Sequence, residues 1–236
     1  MKRAIILAAG QGSRLKGFFN KPKCLIRLGS SNRTLLERTY ENLIKSNIND
    51  IQIVTGYKSA EIKRTLKKKV KYIHFKNYKK TNNLQTLLFV KHLLNSEIIC
   101  MFADIIYEKK IINRLLKNNK KICLIIDTSN VLEGTMRVKI KKDTIIDIGS
   151  HIPVSEGDGN FIGIAKFSKN GASVLKSYLL KQKKNYRDYY TFALRKMIDD
   201  RIKINYIDIK KTYWKEIDTN KDLMEAKKKI RLIESK

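Results

Sequence analysis

The sequence predicts an α/β protein with a mixed, mainly parallel sheet flanked by helices on both faces. Three observations carry this expectation. Strand-length and helix-length apolar segments alternate along most of the chain, the pattern of a parallel sheet with helical crossovers. The first apolar strand runs straight into a glycine-rich loop, Gly10–Gln11–Gly12. The 236 residues include only 2 prolines and no Ser/Gly-rich linker, so residues 1–236 read as a single domain, long enough to bury a full core.

In order, the first strand spans 3–8 and opens the loop 9–17. A helix at 34–46 follows, and Thr34 is a suitable N-cap for Leu35 to Ile44. Next come a strand at 51–54, a helix at 58–67 with Ser59 placed to cap it, and a strand at 71–75. The polar stretch 76–82 reads as a loop and 83–94 as a helix of apolar period. A strand at 97–103, a helix at 108–117 and a strand at 122–127 complete the first half, 1–128. The second half, 129–236, changes texture. Two short strands alternate around a Lys142–Asp143 turn within 136–150, and 161–168 forms another strand. Helices at 169–180 and 188–198, a strand at 203–208 and a closing helix at 220–233 finish the chain. The last helix sets Leu223, Ala226, Ile230 and Ile233 on one stripe opposite lysines, as a docking helix does.

Composition narrows the classes of function. The 51 Lys and Arg against 22 Asp and Glu give a formal charge of +29, which suits nucleic acid, an anionic membrane surface or a polyanionic substrate. The lysine clusters at 67–69, 120–121, 139–142 and 227–229 are not interleaved with aromatics. They therefore read first as a solvated face, then as peripheral attraction to anionic membrane or substrate, and not as a specific nucleic-acid platform. Cys24, Cys100 and Cys123 stand alone among apolar neighbours, and His74, His92 and His151 are far apart. Buried free thiols are expected, not a zinc site. No segment approaches the ~18 apolar residues of a membrane span. Met1–Lys2–Arg3 ahead of Ala4–Ala9 has the outline of a secretory signal, but the apolar run is short and feeds the glycine loop. A cytoplasmic protein is expected.

The residues that could carry chemistry gather at strand ends. Gly10 and Gly12 let the backbone turn tightly and present bare N–H groups, as a phosphate-cradling loop must. Arg14 can grip two phosphate oxygens as a fork and Lys23 adds a compact charge. Together they describe a seat for a nucleoside triphosphate. The string is not a Walker A loop, and Leu15 occupies the third glycine position of the dinucleotide fingerprint. Asp104 ends the apolar run Ile98 to Ala103, where a carboxylate facing the cleft can hold a hard cation. Magnesium favours one or two carboxylates plus phosphate oxygens, so a second acid is needed. Asp218 is the best candidate, although capping the last helix would also explain it. Glu216 shares its side by the period-two rule, and the pattern does not separate the two. Thr81–Asn82–Asn83 opens a helix, and one asparagine is accounted for as its N-cap.

LAAGQGSRL (Leu7 to Leu15) followed by Pro22–Lys23 resembles the signature of the sugar-nucleotide and cytidylyl transferases, which have a GT-A-like, Rossmann-like domain. The linker between them, Lys16 to Lys21, is shorter here than in many relatives. The resemblance covers nearly the whole chain and is loosest over 129–200. It implies nucleotide contacts from Leu7, Ala8, Ala9, Gly10, Gly12, Ser13, Arg14 and Lys23, with Arg14 and Lys23 as the catalytic charges. It also assigns Asp104 and Asp218 to magnesium, and lays Thr81, Asn82 and Asn83 against base and ribose. The TNN segment with Thr86 is similar to the branch that makes CDP-linked headgroups, whose familiar members are the phosphocholine cytidylyltransferases of bacterial surface-polymer pathways.

The resemblance thus implies a magnesium-dependent cytidylyltransferase. It would couple CTP to a phosphocholine-like, phosphoethanolamine-like or phosphorylated amino acid acceptor and release pyrophosphate, for surface polymer or lipid decoration. Residues 1–128 would bind the nucleotide and 129–236 the acceptor. Trp214 and Tyr190 could face a cationic headgroup through their rings, with Glu216 as an acidic neighbour. The alternatives are a sugar-1-phosphate nucleotidyltransferase using UTP, dTTP or GTP, and a catalytically inactive basic binding module. Oligomeric state has no handle in the sequence beyond the fold-level expectation of a homodimer.

Overall fold

The computed structural model describes residues 2–12 and 20–234; Ser13 and Arg14, both expected at the nucleotide, lie outside the described residues. Near-continuous apolar runs make the central strands, as a sheet covered on both faces requires. β1 (Lys2–Ala8) leads by way of a 3-10 turn (Lys23–Leu25) to the hairpin of β2 (Arg27–Leu28) and β3 (Arg33–Thr34). α1 (Leu35–Ile44) begins with a capping box in which the Thr34 hydroxyl accepts from the Glu37 amide and the Glu37 carboxylate accepts from the Thr34 amide. β4 (Asp50–Thr55), α2 (Ser59–Leu66), β5 (Lys71–His74) and α3 (Asn83–Phe89) follow. The middle of the chain holds β6 (Glu97–Phe102), β7 (Ile105–Tyr107), α4 (Lys110–Leu116) and β8 (Ile122–Asp127). Then come β9 (Met136–Lys141), β10 (Thr144–Gly149), β11 (Gly159–Phe167), α5 (Lys169–Lys181) and α6 (Thr191–Asp199). β12 (Ile204–Asp208), β13 (Trp214–Glu216), α7 (Asn220–Lys229) and α8 (Arg231–Glu234) close it.

Nine strands form one sheet in the order β5-β4-β1-β6-β11-β8-β12-β10-β9. The first-half strands β5, β4, β1 and β6 are mutually parallel, whereas β11 runs antiparallel to both β6 and β8. Antiparallel pairing therefore enters with the second half, where the hairpin around Lys142 closes the far edge. β1 sits between β4 and β6, so the loop after Ala8 and the residue after β6 open on the same end of the sheet. Among the described residues no helix is long and apolar enough to cross a membrane.

Three expectations change in detail. Ser59 is the first residue of α2 and not its cap; Lys58, with φ +45°, holds the N-cap position without a side-chain hydrogen bond. The helix expected at 83–94 is α3 to Phe89 and then a 3-10 turn over Lys91–Leu93. The tighter turn buries the adjacent residues Leu93 and Leu94 together while Phe89 stays exposed. The pair β7–β13 was not expected as a separate sheet; each strand has only three residues and no apolar alternation to announce it.

The apolar interior has two parts. The large one fills both faces of the main sheet. The small one gathers Ile26, Leu28, Leu35, Ile106, Ile217, Ala226 and Ile230, and each such Ile or Leu contributes about 1.5–3 kcal/mol by leaving water. The closing helix docks here through Ala226 and Ile230, as the sequence stripe anticipates. Cys24, Cys100 and Cys123 are free and buried, and burial pushes the thiols of Cys100 and Cys123 up to about 12.

Gly163 marks a bulge where the β11–β8 register shifts. Its φ is +83°, and an added Cβ would lie 2.4 Å from Cδ2 of Phe102. Gly163→Ala should therefore cost about 2–4 kcal/mol, from left-handed strain and overpacking together, read by urea denaturation. A second expectation concerns acid. Burial raises the carboxyl of Asp50, but the Gln52 amide and the Arg3 guanidinium at 2.7 Å outweigh it and hold it below its ordinary value. This pair stabilises the fold fully above about pH 4 and its contribution fades as pH falls through the lowered value. The melting-temperature gap between wild type and Asp50→Asn should thus narrow from pH 6 to pH 3.

Candidate active site

The site is assembled from six stretches of chain at one end of the sheet: 7–12, 22–24, 81–83, 102–104, Tyr189 and 216–218. β1 delivers Leu7 and Ala8 to a cavity of about 290 Å³, and Gly10 and Gly12 continue its rim. A Cβ at Gly10 would meet nothing within 4 Å, because that face opens on the cavity. Gly12 has φ +62°, and a Cβ there would stand 2.8 Å from Cγ of Lys23. Glycine is required at 12 by backbone and by the lysine stem alike. Ala9 does not line the cavity; its carbonyl accepts from the Tyr57 amide at 3.1 Å, which pins the loop to the end of β4.

Opposite the loop, three acids converge. Asp104 follows β6, and its carbonyl accepts from the Ile217 amide at 2.9 Å, next to the pairing of Ile105 with Glu216. This register carries Glu216 and Asp218 to Asp104, so that one oxygen from each lies within 4.8 Å of the others. Two such charges repel by roughly 3 kcal/mol at an effective dielectric of about 20. The Lys23 ammonium offsets this: it donates to Asp218 and, at 3.3 Å, to Asp104. Burial works to lower the Lys23 pKa, but Asp104 and Asp218 outweigh it and the net shift is upward. Desolvation is also the largest influence on Asp104; the Lys23 charge opposes it and the Asp218 charge adds to it, so its carboxyl is held above the ordinary range. Three hard oxygen donors with this excess of negative charge fit a divalent cation such as Mg²⁺. Glu216, expected beside the acceptor, belongs to the same carboxylate group as Asp104 and Asp218.

The third wall is the start of α3. Thr81, Asn82 and Asn83 all line the cavity. Asn82 is the N-cap, its side-chain oxygen accepting from the Asn83 amide at 2.9 Å, while its Nδ2 donates to the Arg187 carbonyl. The Asn83 side chain accepts from the Tyr190 amide at 2.8 Å. Sequence reading passed over Gln85, whose buried amide donates to the carbonyls of Gln182, Lys183 and Asn185 and ties the 182–188 loop to α3. A lone glutamine inside a helical period carries no signal of such a role.

A larger cavity of about 830 Å³ adjoins the first and shares Glu216 and Asp218 with it. Trp214 lines it with only 8% of its surface exposed, and its Nε1 donates to Asp127 at 2.7 Å. Tyr190 does not reach either cavity. It is fully buried against Phe102 and Phe161 at ring-centroid distances of 5.9 and 6.2 Å. Its neighbour Tyr189 is the one that lines the smaller cavity.

Residues 4–130 match the MobA-like NTP transferase domain. The chain belongs to that family. Its fold is the GT-A-like α/β fold of the solved nucleotidyltransferases. The chain is 27% identical to the bifunctional IPC transferase and DIPP synthase of Aquifex aeolicus over 97% of this chain and 51% of that protein. It is 39% identical to the choline-phosphate cytidylyltransferase of Streptococcus pneumoniae over 41% of this chain and 43% of that protein. The chain thus spans about half the length of the Aquifex protein. The structure of the inositol-1-phosphate CTP transferase from T. maritima superposes with a TM-score of 0.80 at 17% identity, covering 98% of this chain and 96% of the other.

Gly12→Ala tests the loop of this NTP transferase domain. The new methyl must push the Lys23 stem off the carboxylates, so turnover should fall at least tenfold while the melting temperature moves by only a few degrees.

Proposed function

We propose that this chain is a magnesium-dependent cytidylyltransferase that joins CTP to a small phosphorylated alcohol and releases pyrophosphate. The observation that carries the reading is the single cleft in which Gly10, Gly12, Lys23, Asn82 and the three carboxylates meet. The relatives named as cytidylyl- or CTP-transferases favour cytosine over other bases. Arg14 is proposed to hold the β- and γ-phosphates with the loop amides, and Thr81–Asn83 to lie against the base and ribose.

A phosphate oxygen of the acceptor attacks the α-phosphorus in line, a new P–O–P bond forms, and the bond to the leaving pyrophosphate breaks. The acceptor phosphate is already anionic near neutral pH, so no general base is needed. Lys23 holds the α-phosphate against the incoming oxygen. Asp104, Glu216 and Asp218 would hold a divalent cation, which when bound would supply positive charge to offset the phosphate charge. The loop amides orient the pyrophosphate as it leaves. Positioning and charge do the rest.

The larger cavity takes the acceptor. Its aromatic rings offer little open face, since Trp214 is buried and Lys229 sits 5.8 Å from the Tyr213 ring centroid. The acceptor panel therefore includes polyol phosphates beside amine phosphates. Pyrophosphate release should be at least tenfold faster with CTP than with UTP, dTTP, GTP or ATP. It should appear with one of phosphocholine, phosphoethanolamine and inositol-1-phosphate. Asp104→Ala and Asp218→Ala should each abolish it with circular dichroism unchanged. Release confined to UTP or dTTP with glucose-1-phosphate would replace this reading by the sugar-1-phosphate one.

A further inference from the structure

The carboxylate of Glu234, in the last turn of the described chain, is held by five donors from the first half. It accepts from the Ser30 amide and hydroxyl at 3.1 and 3.0 Å, and from the Ser31 amide and hydroxyl at 3.3 and 2.7 Å. Arg38 adds its Nη2 at 2.7 Å. The same guanidinium nitrogen also donates to the Leu28 carbonyl at 2.6 Å, so it grips hairpin and carboxylate together. Gly29, with φ +74°, leaves room: a Cβ there would lie 2.2 Å from Oε1 of Glu234. Arg38 first and Ser31 next hold the Glu234 carboxyl far below its ordinary range.

This contact spans the small apolar cluster, and every member of the charged centre is attached to that cluster by a near neighbour. Ile26 follows the turn that carries Lys23, Ile106 follows Asp104 by two residues, and Ile217 precedes Asp218. Ala226 and Ile230 of the closing helices fill the same cluster from the Glu234 side. Thr219 caps α7 immediately after Asp218, through its hydroxyl and Asp222. Moving α7 and α8 therefore moves Asp218 relative to Lys23.

We propose that Glu234 is a positioning residue for the reaction: by docking in the Ser30–Ser31–Arg38 nest it clamps the closing helices over the small cluster and fixes Asp218 against Lys23. This rests on the reading of Lys23 and Asp218 as the reaction centre. Glu234 lines neither cavity, so its effect on turnover passes through the geometry of that pair. Side-chain hydroxyls, two backbone amides and a guanidinium around one carboxylate make a well-satisfied anchor for α8.

The test uses the full chain and four forms: wild type, Glu234→Ala, Glu234→Asp and, as a stability control at the opposite edge, Asp50→Ala. Glu234→Ala should lower kcat at least fivefold with KM for CTP changed less than twofold, at a temperature well below its melting point. Glu234→Asp keeps the charge on a shorter arm and should restore most of kcat. Amide hydrogen exchange should accelerate in 20–28 and 214–230, not only in 29–34 and 231–234. Asp50→Ala should lose thermal stability without either change. The proposal is overturned if kcat of Glu234→Ala is unchanged, if it falls no further than in Asp50→Ala, or if faster exchange stays confined to the nest. Should no nucleotide give turnover in wild type, the cytidylyl reading fails separately, and exchange in 214–230 still decides whether the clamp exists.

Discussion

The Lys23 ammonium between Asp104 and Asp218 is the contact on which the rest of the molecule depends. Three carboxylates within 4.8 Å would repel one another strongly in a half-buried cleft. One half-buried cation offsets that repulsion, and its two partners, Asp104 and Asp218, arrive from distant parts of the chain. The main sheet alone cannot hold them, because Asp104 lies just beyond β6 and Asp218 just beyond β13. The short β7–β13 pair supplies the register, and the small apolar cluster beneath it supplies the adhesion. The hydrophobic effect, which has no direction, thus makes affordable an electrostatic arrangement that has a very specific one.

The parts legible in the sequence are those whose chemistry is local. Gly10, Gly12, Lys23, Asp104 and Asp218 each stand at the end of an apolar run or in a loop next to one, so their place on the sheet follows from the strand that precedes them. Thr34 as a cap, the Lys142 turn and the stripe of the closing helix are equally local, and the structure has all three. What depends on tertiary packing was not legible. Tyr189 and Tyr190 are adjacent, and only the packing of Phe102 and Phe161 decides which one is buried. Period two placed Glu216 and Asp218 on one side without choosing between them, and in the fold both join Asp104. Gln85 and Ala9 act through backbone groups of remote loops, for which a single sequence has no signal.

The distribution of charge has its own logic. Among the described residues, a chain of formal charge +29 gathers three carboxylates in the cleft around the half-buried Lys23. A diffuse basic surface raises the local concentration of anionic substrates without committing to any geometry. The cleft acts in the opposite sense: its acids discourage a triphosphate from settling there until cationic charge is supplied. Attraction at long range and conditional acceptance at short range together favour a substrate that brings its counter-charge with it.

The two cavities explain why the acids sit where they do. In-line displacement needs the entering oxygen and the departing pyrophosphate on opposite sides of one phosphorus. The smaller cavity has the glycine loop on its far side, and the larger one has Trp214 and Asp127 on its own; Glu216 and Asp218 line both. In the proposed reaction the phosphorus therefore lies at the shared wall, with each substrate reaching it from its own cavity. Glu216 and Asp218, standing at that wall, face both substrates at once, which an acid confined to either cavity could not do.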